Sequence, residues 1–280
     1  MTSLLWMAHP AARTARTSLR APWKDNIVRS IAVATCLLAC ANVWAAGCEK
    51  SSPAHTVALV ELYTSEGCNS CPPADRWLSG LASAGFGGDR VVPLGLHVDY
   101  WDYIGWKDAF AQARFGDRQR AMSRASGSTF VYTPQVMVQA RDFRSWSGTA
   151  FDSQVRAINA RPAQADIKLA IVPAAGAFRV TAQAQTKSKV GAQMFVALTQ
   201  NRIVTAVKAG ENRGESLKHD HVVREWHGPL AFDADGRAKV ERTFALPAGA
   251  RATDLNAVAI VQNPVNGEVL QTVALAACTG

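Results

Sequence analysis

The 280-residue sequence contains no glycine-rich phosphate loop, no Gly-x-Ser-x-Gly elbow and no His-Glu-x-x-His pair. Nucleotide-dependent and familiar hydrolytic mechanisms therefore have no support in it. Internal repeats, heptads and low-complexity tracts are missing too, which leaves out solenoids and coiled coils. Long apolar runs are scarce. The stretch from Ile31 to Ala41 falls short of the ~20 residues that span a bilayer, so a retained transmembrane anchor is the weaker reading. Strong net charge is also lacking. Of the overall +8, much sits in the first 46 residues, which hold five basic side chains and one acid. The remainder carries 25 basic against 21 acidic residues, a net +4, and this undercuts nucleic-acid binding argued from charge.

What the N-terminus does contain is a basic leader with Arg13, Arg16, Arg20, Lys24 and Arg29, then the apolar stretch, then Val43-Trp44-Ala45-Ala46. That order predicts a signal peptide over residues 1–46, cut near Ala45 or Ala46. A second processing signal overlaps it. Leu37-Leu38-Ala39-Cys40 is similar to the lipobox ahead of a lipid-modified cysteine, although Leu38 is bulky for its place. The protein is therefore expected to be periplasmic or secreted, or else lipid-anchored through Cys40, with no stable membrane insertion after signal cleavage. Cleavage near Ala46 leaves four cysteines: Cys48, Cys68, Cys71 and Cys278. Cys48 and Cys278 lie at opposite ends and have only each other as an obvious partner in an oxidising compartment. This predicts a disulfide tying the two termini, the alternative being two unpaired thiols on frayed ends.

The texture of the chain changes near Pro162. Before it, strands alternate with helices: a strand over 56–64, a helix over 72–84, a strand over 90–98, a helix within 106–126 on an apolar face of Trp106, Phe110, Ala113 and Ala121, a strand over 135–139, and a helix from Thr149 with Phe151, Val155 and Ile158 on one stripe. Beyond it, short alternating segments predict strands over 167–171, 178–182, 194–199, 239–244, 257–262 and 269–275, with Asn266-Gly267 as a hairpin turn. The first part predicts an α/β domain over 47–162 and the second a small all-β, sandwich-like domain over 163–280.

Cys68-Asn69-Ser70-Cys71 falls where the first strand ends and a helix begins at Pro72-Pro73. At a helix N-terminus the unpaired amide groups and the dipole favour a thiolate, which predicts an exposed, reactive Cys68 with Cys71 as resolving thiol. A permanently closed bridge that stiffens the turn is the alternative. His97, Asp99 and Asp102 fall at the end of the second strand. They are candidates for a proton relay, for backbone caps, or, through His97 with the two thiolates, for a copper or zinc site. Tyr100, Trp101, Tyr103 and Trp106 form an aromatic cluster suited to packing. In Lys218-His219-Asp220-His221 the two imidazoles share one side of a strand, with Glu211 as the nearest further ligand. An exposed strand face is the simpler reading of that pair.

Tyr132-Thr133-Pro134-Gln135-Val136-Met137-Val138 together with the CxxC resembles the thioredoxin superfamily, where a cis Thr-Pro pair lies against the cysteines. The resemblance implies that Pro134 removes a backbone donor beside the sulfurs and helps to present an edge to an extended substrate. Two departures stand out: Asn-Ser separates the cysteines where thioredoxin has Gly-Pro, and Leu62 occupies the place of thioredoxin's buried carboxylate. Glu61 is one position away, and alternation turns it to the other face, so it is a proton carrier or simply a solvated or capped acid. The longer pattern from Glu61 to Asp75, with His97 to Asp102 and Gly210-Glu211-Asn212-Arg213-Gly214, resembles an uncharacterised family of secreted bacterial proteins with a thioredoxin-like domain and an appended all-β domain.

The expected fold is thus an α/β thioredoxin-like domain followed by a small all-β sandwich-like domain. The expected function is an exported thiol-disulfide oxidoreductase that acts on thiols or disulfides of protein substrates, with no cofactor and no nucleic-acid partner. The candidate catalytic residues are Cys68, Cys71 and Pro134, and the candidate relay is His97, Asp99 and Glu61. The alternatives are a copper- or zinc-binding protein and a non-catalytic adaptor with a structural CxxC bridge.

Overall fold

The computed structural model describes residues 47–187 and 191–278. The leader over 1–46, its cleavage point and the Cys40 lipidation site lie outside the described residues.

The chain opens with β1 (Cys48–Ser51) and β2 (Ala58–Thr64), followed by α1 (Pro72–Gly80) and β3 (Val91–His97). All seven residues of β2 are buried, as in strands covered on both faces. Two prolines open α1, where the missing N–H groups would have no helical partner anyway. A 3-10 turn over Asp99–Ile104 leads to α2 (Ala113–Ala125), β4 (Gln135–Val138), β5 (Arg141–Asp142) and α3 (Thr149–Asn159). Helix α3 buries Phe151, Val155 and Ile158 as its periodicity predicts. Helix α2 lies within the predicted 106–126 segment but buries Phe115, Arg118, Gln119 and Met122 instead of the expected apolar face.

The second half adds β6 (Ala165–Ala174), β7 (Ala177–Thr186), β8 (Gln193–Gln200), β9 (Ile203–Ala206), β10 (Ser216–His219), β11 (Val222–Ala231), β12 (Arg237–Ala245), β13 (Leu255–Gln262) and β14 (Val269–Ala276). Among the described residues these strands form three sheets. One has eight strands in the order β14-β13-β8-β11-β3-β2-β4-β5, one has four in the order β1-β6-β7-β12, and β9 pairs with β10 in a ribbon.

This architecture overturns the expected fold class. The described chain is mostly β, and its large mixed sheet is not an α/β thioredoxin-like unit followed by a small β unit. Strands from both sides of Pro162 share the eight-stranded sheet: β11 meets β3 in parallel at Val222 and Gly95, where the Gly95 amide donates to the His221 carbonyl at 2.8 Å. Pro93, two residues earlier on the same edge, has no N–H to offer, and the pairing stops there. From the other side, β1 pairs with β6 in the four-stranded sheet.

One face of the large sheet carries Leu59, Tyr63, Leu94, Leu96, Phe195 and Ile260 against Phe115 and Met122 of α2. On the opposite face, Ala58, Val60 and Leu62 pack on α1 and α3. Further along that face Val196, Leu198, Ala257 and Ala259 pack on Ile167, Leu169 and Val180 of the four-stranded sheet. Strands β6 and β7 alternate buried and exposed residues because their outer face meets water, whereas β8 is buried along almost its whole length.

Candidate functional site

Strands β2 and β3 are parallel, so their C-terminal ends share one edge of the sheet. After Thr64, Ser65 turns the chain: its hydroxyl accepts from the Gly67 amide at 3.1 Å and its carbonyl from the Cys68 amide at 3.2 Å. The Cys71 amide then donates to the Cys68 carbonyl at 3.2 Å, and α1 begins. Cys68 and Cys71 are joined in a disulfide, with Cα atoms 5.5 Å apart. A second disulfide joins Cys48 to Cys278 across 230 positions.

The expected exposed thiol is not found: Cys68 and Cys71 are both 0% accessible. Part of the seal is local. The Thr133 hydroxyl points at the Cys68 sulfur from 3.5 Å, the Ser70 hydroxyl lies 3.3 Å from it, and the Thr133–Pro134 bond is cis. The rest comes from the loop that joins β9 to β10. There the Asn212 side-chain amide donates to the Glu66 carbonyl at 2.8 Å and to the Cys68 carbonyl at 2.9 Å. The Glu211 carboxylate accepts from the Asn69 amide at 3.0 Å. Gly210, at φ 74°, makes the close approach possible, because a Cβ there would sit 3.1 Å from Ile104 Cδ1 and 3.2 Å from Trp106 Cβ. The pattern Gly210–Gly214, distant in sequence, is a lid over the CxxC turn.

Beside the disulfide lies a buried polar cluster of Glu66, Asp75, His97, Asp108 and His219. His97 Nδ1 meets Asp108 Oδ2 at 2.7 Å, and the same oxygen accepts from the Glu66 amide at 2.9 Å. Trp106 Nε1 donates to Glu66 Oε2 at 3.0 Å, and His219 Nε2 approaches Glu66 Oε1 at 3.3 Å. The His97 and His219 rings stand edge to face with centroids 5.0 Å apart. Burial would lower the His97 imidazole, but the Asp108 charge and hydrogen bond, with Asp75 and Glu66 behind them, hold it above its ordinary value. Burial would raise the Asp108 carboxyl, yet His97 and the amides of Glu66 and Phe110 keep it low. Asp75 moves the other way: burial raises it, and His219, His97 and the Thr64 hydroxyl offset this only in part.

Of the relay predicted from sequence, only His97 is in this cluster. Its carboxylate partner is Asp108 and not Asp99, which begins the 3-10 turn. Asp102 accepts from the Asp108 amide at 3.2 Å and so steadies that partner. Glu61 is on the opposite face of β2, as alternation requires, and is neither solvated nor a cap. It is fully buried against Arg118 at 2.6 Å, whose guanidinium lies over the rings of Phe195 and Trp226. His219 and His221 separate: His219 faces inward beside Leu217, while His221 sits at φ 60° in the turn to β11. The expected exposed strand face is thus corrected, and the signal was available, since a buried Leu217 puts His219 on the same side. Asp75 announced itself similarly, as an acid on the helix face of Ala74 and Leu78. Asp108 carried no comparable signal.

Among the described residues, no three His, Cys, Asp or Glu side chains are disposed to hold a metal ion together. In the oxidised pair neither sulfur is a thiolate ligand, and His97 Nδ1 is taken by Asp108.

Residues 59–262 match a protein family described as "Protein of unknown function (DUF1223)". The chain belongs to that family. The match takes in the CxxC turn, the polar cluster and the 210–214 lid of this DUF1223 chain. Two solved structures share its fold. Protein AGR_C_4864 from Agrobacterium tumefaciens is 24% identical, with a TM-score of 0.58 over 80% of this chain and 96% of that one. HBP35 of Porphyromonas gingivalis is 16% identical, with a TM-score of 0.61 over 80% of this chain and 76% of that one. At such identities the likeness speaks to the fold alone. No curated protein matches the sequence.

Proposed function

We propose that this DUF1223 protein is an exported thiol-disulfide oxidoreductase in which Cys68 and Cys71 exchange a disulfide with protein thiols. One observation carries the reading: a short-range disulfide at the start of a helix, touched by the Thr133 hydroxyl and backed by a buried group of carboxyls and imidazoles. A bridge that only stiffened a turn has no need of five buried ionisable neighbours, each of which costs desolvation free energy. Buried groups shifted as Asp75, His97 and Asp108 are gather where protons are handled. The two disulfides support work in an oxidising compartment outside the cytosol, periplasmic or secreted. Among the described residues no helix is long and apolar enough to cross a membrane.

The closed lid means that exchange proceeds from an open form in which the 207–215 loop has left Cys68. A non-catalytic adaptor is the second reading, and it is favoured by the complete burial of both sulfurs. The test is a Cys71→Ser variant expressed with its export signal. An oxidoreductase accumulates mixed disulfides through Cys68, visible as reducible high-mass bands. The adaptor forms none, and its native pair resists reduction by a dithiol.

A further inference from the structure

Asp75 follows Cys71 by four residues in α1, and its amide donates to the Cys71 carbonyl at 3.1 Å. Side chains four apart on a helix share a face and are neighbours, so Asp75 lies on the Cys71 side of α1, one turn further on. The charged groups acting on it come from three other segments: His97 at the end of β3, Asp108 in the loop after the 3-10 turn, and His219 on β10. Glu66 closes the group through His219. Glu66 Oε1 and His219 Nε2 face each other at 3.3 Å, and among the described residues the buried His219 Nδ1 has no hydrogen-bond partner. Between α1 and β10 lies a cavity of about 130 Å³ lined by Asp75, His219 and their neighbours, with exposed Arg76 and Lys218 at its rim. That is room for a few waters. Asp75 and His219 thus line a cleft that opens beside exposed side chains, while both cysteines are fully buried.

We propose that Asp75 is the proton carrier of the Cys68–Cys71 pair, exchanging protons with the Cys71 sulfur on one side and with the His219 cleft on the other. The proposal rests on the redox reading above and assigns the task that Glu61, on the wrong face of β2, does not perform. Burial raises the Asp75 carboxyl above its ordinary range, which lets it carry a proton where a surface carboxylate is ionised.

The co-reactant is a partner protein with two thiols. Its thiolate attacks the Cys68 sulfur, a bond forms between the two, and the Cys68–Cys71 bond breaks with its electron pair left on Cys71. Asp75 gives its proton to that sulfur and becomes a carboxylate, which is reprotonated from cleft water by way of His219. The partner's second thiolate then attacks the partner sulfur of the mixed disulfide. Cys68 leaves as a thiolate that takes up the proton released by the partner, and the partner is oxidised to a disulfide.

The test uses the full chain with both disulfides formed and follows its reduction by a dithiol from mildly acidic to mildly alkaline pH. Asp75→Asn keeps the size of the side chain and removes its ionisation, and Asp75→Glu restores it. The expected result is a reduction rate at least about tenfold lower in Asp75→Asn at neutral pH, the loss of the pH limb that follows the carboxyl, and recovery in Asp75→Glu. If Asp75→Asn does not fold, the Asp75 carboxyl carbon is titrated by NMR in the oxidised and reduced wild-type protein. A curve that shifts on reduction supports the proposal, and identical curves overturn it. An Asp75→Asn profile that superimposes on the wild type overturns this assignment alone. A wild-type pair that no dithiol reduces in the folded protein overturns both it and the redox reading.

Discussion

Replacing Asn212 by alanine removes one side chain with two buried duties: it donates to the Glu66 carbonyl at 2.8 Å and to the Cys68 carbonyl at 2.9 Å. A neutral hydrogen bond contributes about 1 kcal/mol net, and a buried carbonyl left without a partner costs about 1–3 kcal/mol. The Cys68 carbonyl keeps the Cys71 amide at 3.2 Å, so the loss there is one hydrogen bond, and the Glu66 carbonyl is the one left without a partner. The closed lid should therefore lose about 2–4 kcal/mol relative to an open form in which water satisfies the Glu66 carbonyl. At about 1.4 kcal/mol per factor of ten, the open population rises roughly 30- to 1000-fold. If reduction passes through that form, its rate rises equally. The assay is pseudo-first-order reduction of the oxidised protein by excess dithiol, scored by mass after alkylation. Glu211→Gln is the control, since the contact from Glu211 to the Asn69 amide is exposed and is worth less than about 1 kcal/mol. A rate in Asn212→Ala within about threefold of wild type, with the fold intact, would refute the idea that this amide holds the lid shut.

Four further outcomes follow from other contacts of the protein. Arg118→Met strands the fully buried Glu61 carboxylate and should cost about 3–5 kcal/mol in denaturant unfolding, whereas the double change Arg118→Met with Glu61→Leu should recover much of the loss. His97 is raised and Asp108 lowered in the folded state. The His97 contribution is therefore complete below the unfolded imidazole pKa and fades as pH rises through its folded value, while the Asp108 contribution fades as pH falls through its own. Asp108→Asn should flatten both limbs of the stability–pH curve, and an unchanged curve would exclude the pair as their source. Asp75 has the opposite sign for an acid: because folding raises it, stability falls as pH climbs from the unfolded to the folded pKa, and Asp75→Asn should remove that decline. Changing both Cys48 and Cys278 to serine opens a bridge across 230 positions. Chain entropy puts its worth at about 5 kcal/mol, so a negligible change in thermal unfolding would show that the bridge does not constrain the unfolded chain.

The CxxC turn, the strand before it and the helix after it were legible because each is a local matter. An apolar run, a turn and two prolines at a helix start need no distant partner to be recognised. Glu61 likewise could be assigned to the far face of β2 from alternation alone, although not the guanidinium that awaits it there. The fold class was misread for a physical reason. Periodicity reports how many faces of a strand are covered, not which strand lies beside it, and β3 with a proline on one edge gives no hint of β11 as its neighbour. The unbroken apolar run Met194–Leu198 in β8, the pattern of a strand covered on both faces, was the available warning that the second half does not close on itself.

What the order of residues dictated here is chemistry at short range: two sulfurs four positions from end to end, an acid one helical turn further on, and a hydroxyl next to a proline. What it left open is everything set by chain reversal. Asn212, His219 and Asp108 reach the sulfurs or their polar neighbours from segments 37 to 148 residues away from Cys71, brought there by a ribbon and a loop whose docking depends on burying surface across the whole molecule. A thiol that looks exposed in a linear reading is sealed for that reason, since accessibility belongs to the packed assembly of segments and not to any one of them.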